Sequence, residues 1–335
     1  MNLLQLLGIK HPIIQAPMAG VTTPEFVAAS ADAGILGSIG AGYLSAEKTR
    51  EYIREVKELT NASFAVNLFI PEQVEVNENQ LGKAIEALQP IGQELGIALT
   101  DVAFAESEFD AQIQVLIAEG VKICSFTFGL PDQKTVRLLK ENNVFLIGTG
   151  TTVEEARLAE KAGMDAVVAQ GSEAGGHRGS FFGQLTFIPL NELLPDMVKS
   201  VSIPVIAAGG IANKNHMENA LSAGAQVVQI GTALLASDES GAHVLHKKAI
   251  LYADEGCTEY TTAFSGKTAR GIRNRFMREM KTADIASYPY QNDLTKEIRK
   301  EAAKQEKSDF MSLWAGENVH LTTGGKLNEI VNRII

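Results

Sequence analysis

The chain has 335 residues, of which 45% are hydrophobic, 21% charged and 6% aromatic, the composition of an ordinary soluble globular protein long enough for one large domain or two smaller ones. Its 40 acidic against 30 basic side chains leave a formal charge of −10, and the densest basic stretch, Lys267 to Arg278, does not overrule that balance, so a nucleic-acid partner is not expected. Two cysteines, Cys124 and Cys257, argue against a disulfide framework; no basic segment leads a long apolar run at the N-terminus and no run of about 20 apolar residues occurs, so a cytoplasmic protein without signal peptide or membrane span is expected.

One pattern recurs along the chain. An Ala-rich amphipathic segment ends in Gly and a short apolar run follows, as in Ala31–Gly34 before Ile35–Ile39, Ala118–Gly120 before Val121–Cys124, Lys161–Gly163 before Ala166–Val168 and Ser222–Gly224 before Val227–Ile230. Each unit reads as a helix, a left-handed Gly that stops it, and a buried strand. The pattern predicts strands near 13–16, 35–39, 64–68, 122–126, 144–148, 165–169, 204–208 and 226–230. Helices are predicted over 24–33, 46–58, 109–119, 133–141, 153–162, 214–223 and 239–248. Strands alternating with helices, joined by short loops, predict an α/β chain closed into a (β/α)8 TIM barrel, with an open doubly wound sheet as the alternative. Residues 1–257 are assigned to the barrel, with a long excursion of weak periodicity at 70–108. The polar, loop-rich residues 258–335 are assigned to a C-terminal cap over the barrel mouth.

Barrel enzymes place their chemistry at the C-terminal ends of the strands. After the first predicted strand, Gln15-Ala16-Pro17-Met18-Ala19-Gly20 offers small residues that let a planar ring approach, although on spacing alone an ordinary strand-to-helix turn is the favoured reading. Asn67 closes the third strand between apolar neighbours; its amide suits the edge of a heterocycle or, equally, a turn. The fourth strand ends in Ser125-Phe126-Thr127-Phe128-Gly129. The densest signal follows the sixth strand: Gln170-Gly171-Ser172-Glu173-Ala174-Gly175-Gly176-His177-Arg178-Gly179. Glycine there exposes backbone amides, and a His–Arg pair in so unpacked a loop points to function. The loops Ala208-Gly209-Gly210-Ile211 and Gln229-Ile230-Gly231-Thr232 follow the last two strands and precede helices, the arrangement of a barrel phosphate site. His216, His243 and His246 lie on predicted helices and are read as solvated or partly packed. No zinc pattern and no serine-nucleophile elbow occurs.

These loops, taken together and in order, resemble the nitronate monooxygenase family of class I type over most of the chain. The resemblance rests on Gln15–Gly20 with Thr23-Pro24, Phe64–Phe69, Ser125–Gly129 and Gly171–Gly179. It implies FMN as the cofactor, with no metal. It further implies FMN-dependent oxidation of alkyl nitronates by O2 to a carbonyl product and nitrite, through one-electron transfer to the flavin. Carried onto this chain, the resemblance places Pro17 and Met18 against the flavin ring. It places cofactor contacts at Asn67, Gln170, Gly175, Gly176, Gly209, Gly210, Gln229, Ile230, Gly231 and Thr232. His177 becomes the catalytic residue, also touching substrate, and Tyr288 and Lys296 become further substrate contacts. The stretch Trp314-Ala315-Gly316-Glu317-Asn318 departs from the family's usual Ala-Gly-Gln-Gly. The alternative is an FMN- and NAD(P)H-dependent enoyl-acyl-carrier-protein reductase, which shares an Ala-Gly-Gly-His loop but carries an apolar residue where this chain has Arg178. The partners expected are a small-molecule substrate and O2, with the chain a monomer or homodimer.

Overall fold

The apolar runs become the strands of one parallel sheet in the computed structural model, which describes residues 3–72, 74–75, 77–99 and 106–335. In chain order the strands are β1 (Ile13–Gln15), β2 (Gly37–Gly40), β3 (Phe64–Phe69), β4 (Ile123–Thr127), β5 (Phe145–Gly150), β6 (Ala166–Gln170), β7 (Gly176–His177), β8 (Val205–Ala208), β9 (Val227–Ile230), β10 (Thr258–Thr261) and β11 (Ala269–Ile272). Eight of them pair in the order β1-β9-β8-β6-β5-β4-β3-β2. The gap between β1 and β2 is closed by a parallel bridge between Ile14 and Leu36. There the Gln15 amide donates to the Leu36 carbonyl at 2.8 Å and the Leu36 amide to the Ile13 carbonyl at 3.0 Å. The chain is a (β/α)8 TIM barrel, and the open-sheet alternative falls with that closure.

Strand residues alternate between two cores, as the two-residue period of a strand demands. Ala166, Val168, Ile206 and Ala208 face the barrel interior with Ile14, Ala65 and Ile147, and Leu3 and Leu7 of the first helix join that interior cluster. Val167, Ala169, Val205 and Ala207 face outward into the layer shared with the helices. The surrounding helices begin at side-chain caps: Thr23, Asp132 and Thr152 each accept a backbone N–H three residues on, satisfying a donor that the first turn leaves free. At Gly163, φ of +97° ends the helix Val153–Ala162, the left-handed stop expected of this residue.

The excursion contains an 18-residue helix, Glu78–Leu95, where the sequence showed only weak periodicity. Ala84, Leu88, Ile91 and Leu95 bury one stripe of it, but Gly82, Pro90 and Gly92 interrupt the pattern and blunt the signal. Residues 73, 76 and 100–105 of that stretch lie outside the described residues. The helix packs with Phe264, Phe276, Met280, Leu294, Ile298 and Phe310 in a separate apolar cluster, so the cap's core is drawn from two distant stretches of chain. The final helix, Leu327–Ile334, instead buries Leu327, Ile330, Val331 and Ile334 in the barrel's outer core. The helix expected over 239–248 runs over Val244–Leu251. Gly241 before it is pressed against the first barrel loop, its amide donating to the Val21 carbonyl at 3.1 Å. Among the described residues, no helix is long and apolar enough to cross a membrane.

Candidate active site

A cavity of about 500 Å³ opens at the C-terminal ends of the barrel strands, within the roughly 300–1,000 Å³ range of small-molecule sites. One end of it is a glycine cradle. Gly209 and Gly210, after β8, hold φ of +118° and +68°, left-handed values that glycine adopts without strain. Among the described residues, no protein acceptor takes the amides of Gly209, Gly210, Ile211, Gly231 or Thr232, and all five residues line the cavity. Such a ring of free amides at the ends of adjacent final strands suits an anion. The cap's last segment leans on the cradle: Gly316 N donates to Thr232 Oγ1 at 2.9 Å and Asn318 Nδ2 to the Gly210 carbonyl at 2.7 Å. The approach is so close that a Cβ on Gly175 would stand 2.4 Å from the Gly316 nitrogen.

The middle of the cavity carries Asn67, 3% exposed. Its Nδ2 donates to Ser125 Oγ at 2.9 Å and Thr127 Oγ1 at 3.2 Å. That fixes the amide's orientation and leaves Oδ1 without a donor among the described residues.

His177 forms the other end. Its segment is not an unpacked loop as the glycine content suggests: β7 joins a three-stranded sheet with β10 and β11, pairing His177 with Ala269 and Gly176 with Arg270. Glycine serves there to let two backbones meet, not to leave one free. The imidazole stands edge-on to Phe128, ring centres 5.5 Å apart, and at 5.5 Å from Trp314. Its Nε2 lies 2.8 Å from Ser265 Oγ, and the Ser265 hydroxyl is itself buried and accepts the Lys267 amide at 3.3 Å. Burial first, then the positive charges of Arg299 and Lys267, push the imidazole down to about 3, so it is neutral at physiological pH. Phe128 reaches its place with φ of +71°, a costly conformation for a bulky residue and one that clusters at functional sites.

Gln170 braces the same segment from β6. Its Nε2 donates to the His177 carbonyl at 3.0 Å and its Oε1 accepts the Gly179 amide at 2.7 Å. Arg178 points neither into the cavity nor to solvent. It is 4% exposed, with Nη1 donating to the Gln170 carbonyl at 2.8 Å and Nε to the Thr186 carbonyl at 3.1 Å. Glu155, fully buried, receives Thr151 N and Oγ1 on one oxygen and Ser180 Oγ, Phe181 N and Phe182 N on the other. That carboxylate anchors the chain just after His177 to the barrel.

Pro17, Met18, Asn67, Gln170, Gly175, Gly176, His177, Gly209, Gly210 and the run Gln229–Thr232 all line this one cavity. Tyr288 stands behind the wall, its ring 5.4 Å from Phe128. Lys296 is exposed on the helix Tyr290–Lys304 and lies outside the cavity lining; one turn on, Arg299 lines it instead. Arg299 and Ser265 escape the sequence reading, and Trp314 and Asn318 enter it only within a stretch that departs from the family's pattern, because all four come from the cap, whose position over the barrel no local pattern encodes. His246, read as a helix residue of no note, is 6% exposed, lines the cavity and bonds the Trp314 carbonyl at 3.0 Å.

The nitronate monooxygenase family model matches residues 1–335. A probable nitronate monooxygenase of Staphylococcus aureus strain MSSA476 is 45% identical, covering 100% of this chain and 96% of its own length. Among solved structures, a nitroalkane oxidase from Streptomyces ansochromogenes superposes with a TM-score of 0.93 at 38% identity, covering 97% of this chain and 95% of its own. FabK from Thermotoga maritima superposes with a TM-score of 0.77 at 31% identity, over 98% of this chain and 93% of its own. With the family model and a curated relative both spanning it end to end, the chain is an oxidoreductase that belongs to the nitronate monooxygenase family.

Proposed function

We propose that this chain oxidises alkyl nitronates, propionate 3-nitronate among them, with O2 to a carbonyl product and nitrite, using FMN. The observation that carries the reading is a neutral imidazole, His177, set at one end of a cavity whose other end is a cradle of backbone amides with no acceptor among the described residues. The donor set fits FMN. The amides of Gly209, Gly210, Ile211, Gly231 and Thr232 would hold its phosphate. Asn67 Oδ1 would accept from the polar edge of the ring, and Pro17 and Met18, at the end of β1, would lie against its face. When bound, FMN supplies the one-electron acceptor for nitronate oxidation; the protein positions and tunes.

His177 then acts on an anion. The Ser265 hydroxyl accepts the Lys267 amide and has one proton for two acceptors, His177 Nε2 at 2.8 Å and the Lys267 carbonyl at 3.2 Å; in the tautomer in which it donates to Nε2, the imidazole proton sits on Nδ1 and is the donor for a nitronate oxygen. An imidazole held as low as about 3 is a poor base for the α-carbon of a neutral nitroalkane. The site therefore suits a substrate that arrives already ionised. Phe128 and Trp314 on either side of the ring exclude water and strengthen that hydrogen bond.

The test is oxygen uptake by the purified protein on addition of propionate 3-nitronate under air, with nitrite measured alongside. Rapid uptake with stoichiometric nitrite is expected. A yellow protein that takes up no oxygen with the nitronate but is bleached by NADH would replace this reading with the enoyl-thioester reductase.

A further inference from the structure

Residues 313–315 run antiparallel to β11, but the hydrogen bonds of that pairing come from either side of Trp314. Ile272 N donates to the Leu313 carbonyl at 2.9 Å and Ala315 N to the Arg270 carbonyl at 3.3 Å, with Gly271 opposite Trp314. The Trp314 carbonyl therefore points away from β11, as the alternation of an antiparallel pair requires. Its one partner among the described residues is His246, whose Nε2 lies 3.0 Å away. A carbonyl only accepts, so Nε2 carries the imidazole proton and donates it. Burial holds the ring down to about 4, so it is neutral near pH 7. His246 is itself fixed, 6% exposed in the first turn of the helix Val244–Leu251. There the His243 carbonyl accepts the His246 amide at 2.8 Å, and His243 Nδ1 accepts the Leu245 amide at 3.3 Å.

On the other side of the same residue the indole is boxed in. Gly271 lies so close that a Cβ there would stand 3.0 Å from Trp314 Cε3. Phe264 meets the indole edge-on with ring centres 5.4 Å apart, and the His177 imidazole lies at 5.5 Å, inclined by 58°. Trp314 thus joins two histidines, one on its carbonyl and one on its ring. The β11 pairing ties residues 313–315 to the cap, whereas the His246 bond ties Trp314 to a helix that follows the last barrel strand. We propose that His246 is a positioning residue: it holds the Trp314 backbone so that the indole sets the plane of the His177 imidazole over the barrel mouth. Without that donor the buried carbonyl is left unsatisfied, and the residue turns to find another partner, carrying its ring off His177. The kinetic half of this inference rests on the nitronate reading of the site; the placement of the rings does not.

The test uses the flavin-loaded protein as wild type, as His246→Leu, which fills the space without a donor, and as His246→Gln, which keeps an N–H for the carbonyl. With propionate 3-nitronate under air, His246→Leu is expected to lose at least about 10-fold in kcat, within what a displacement of about 1 Å costs, with KM little changed. His246→Gln should recover most of that loss. A wild-type kcat in His246→Leu, a loss carried by KM alone, or a loss that His246→Gln does not relieve overturns the proposal. A second readout needs no turnover, because Trp314 is the single tryptophan of the chain and its emission reports the surroundings of the indole. His177→Asn should alter that emission in the wild-type background and alter it much less in the His246→Leu background. An equal change in both overturns the proposal even if His246→Leu lowers the urea midpoint, since a merely structural role costs stability without uncoupling the two rings. Loss of the coupling in a protein that oxidises no nitronate sinks only the nitronate reading.

Discussion

His177 is held by contacts of three kinds: a hydroxyl on Nε2, aromatic rings at 5.5 Å on two sides, and a backbone pairing with β11. Replacing it with Asn leaves the amide cradle intact. The variant should bind FMN with the wild-type stoichiometry and lose at least about 100-fold in kcat/KM on nitronates, the lower range for a positioned proton-bearing group. Flavin absorbance of the purified variant and oxygen-uptake kinetics check the two halves separately. The pH profile follows from the direction of the shift. The imidazole stays neutral down to about 3, so kcat/KM on freshly prepared nitronate should show no inflection attributable to His177 between pH 5.5 and 8. An inflection near 6.5 that disappears in His177→Asn would contradict this account.

At the scale of elements, the segment after β6 works because unrelated parts of the chain converge on it. Gln170 braces it from the barrel, β11 pairs with it from the cap, and Glu155 at the start of the helix Val153–Ala162 receives its next three residues. A fully buried carboxylate that accepts only donors cannot be replaced by an amide, whose NH2 must face an N–H. Glu155→Gln should cost about 3 kcal/mol, the scale of a lost charged hydrogen bond with a donor left unsatisfied, read as a lower urea midpoint at unchanged slope. Gly175→Ala tests the other contact. Its Cβ would press on Gly316 and Ala315 at 2.4 and 2.5 Å, both backbone atoms, so the cap segment must retreat. The expected result is a protein that folds but releases its flavin on dialysis.

The whole molecule is a barrel whose site is complete only with the cap in place. Both buried histidines at that junction are neutral: burial holds His246 at about 4 and His177 at about 3. The unfolded chain, with ordinary histidines near 6.5, binds more protons than the native state between that value and the folded ones. Their contribution to stability is therefore fully present above about pH 6.5 and is lost as the pH falls toward about 4. The melting temperature should drop over that window, and His246→Gln should make the drop shallower. A slope unaltered by that substitution would place the acid sensitivity elsewhere.

The barrel was legible because its information is local: a helix period, a Gly stop and an apolar run each act within a few residues, as at Lys161–Val168 and Ser222–Ile230. The cradle was legible for the same reason, since Gly209, Gly210 and Gly231 sit at strand ends, and the first two need only their own backbone freedom. The helix Glu78–Leu95 was not, because its glycines and proline dilute the stripe it buries against the cap. Arg299 and Ser265 were out of reach too, as was the place of Trp314 beside the histidine. What places them beside His177 is the docking of residues 263–314 over the barrel mouth, a matter of which apolar faces remain uncovered once the barrel has closed. The sequence by itself determined the barrel and the glycine loops and histidine at its strand ends. Only the tertiary structure decided the charge that faces that histidine, because a side chain's electrostatic neighbours are set by distance in space and not along the chain.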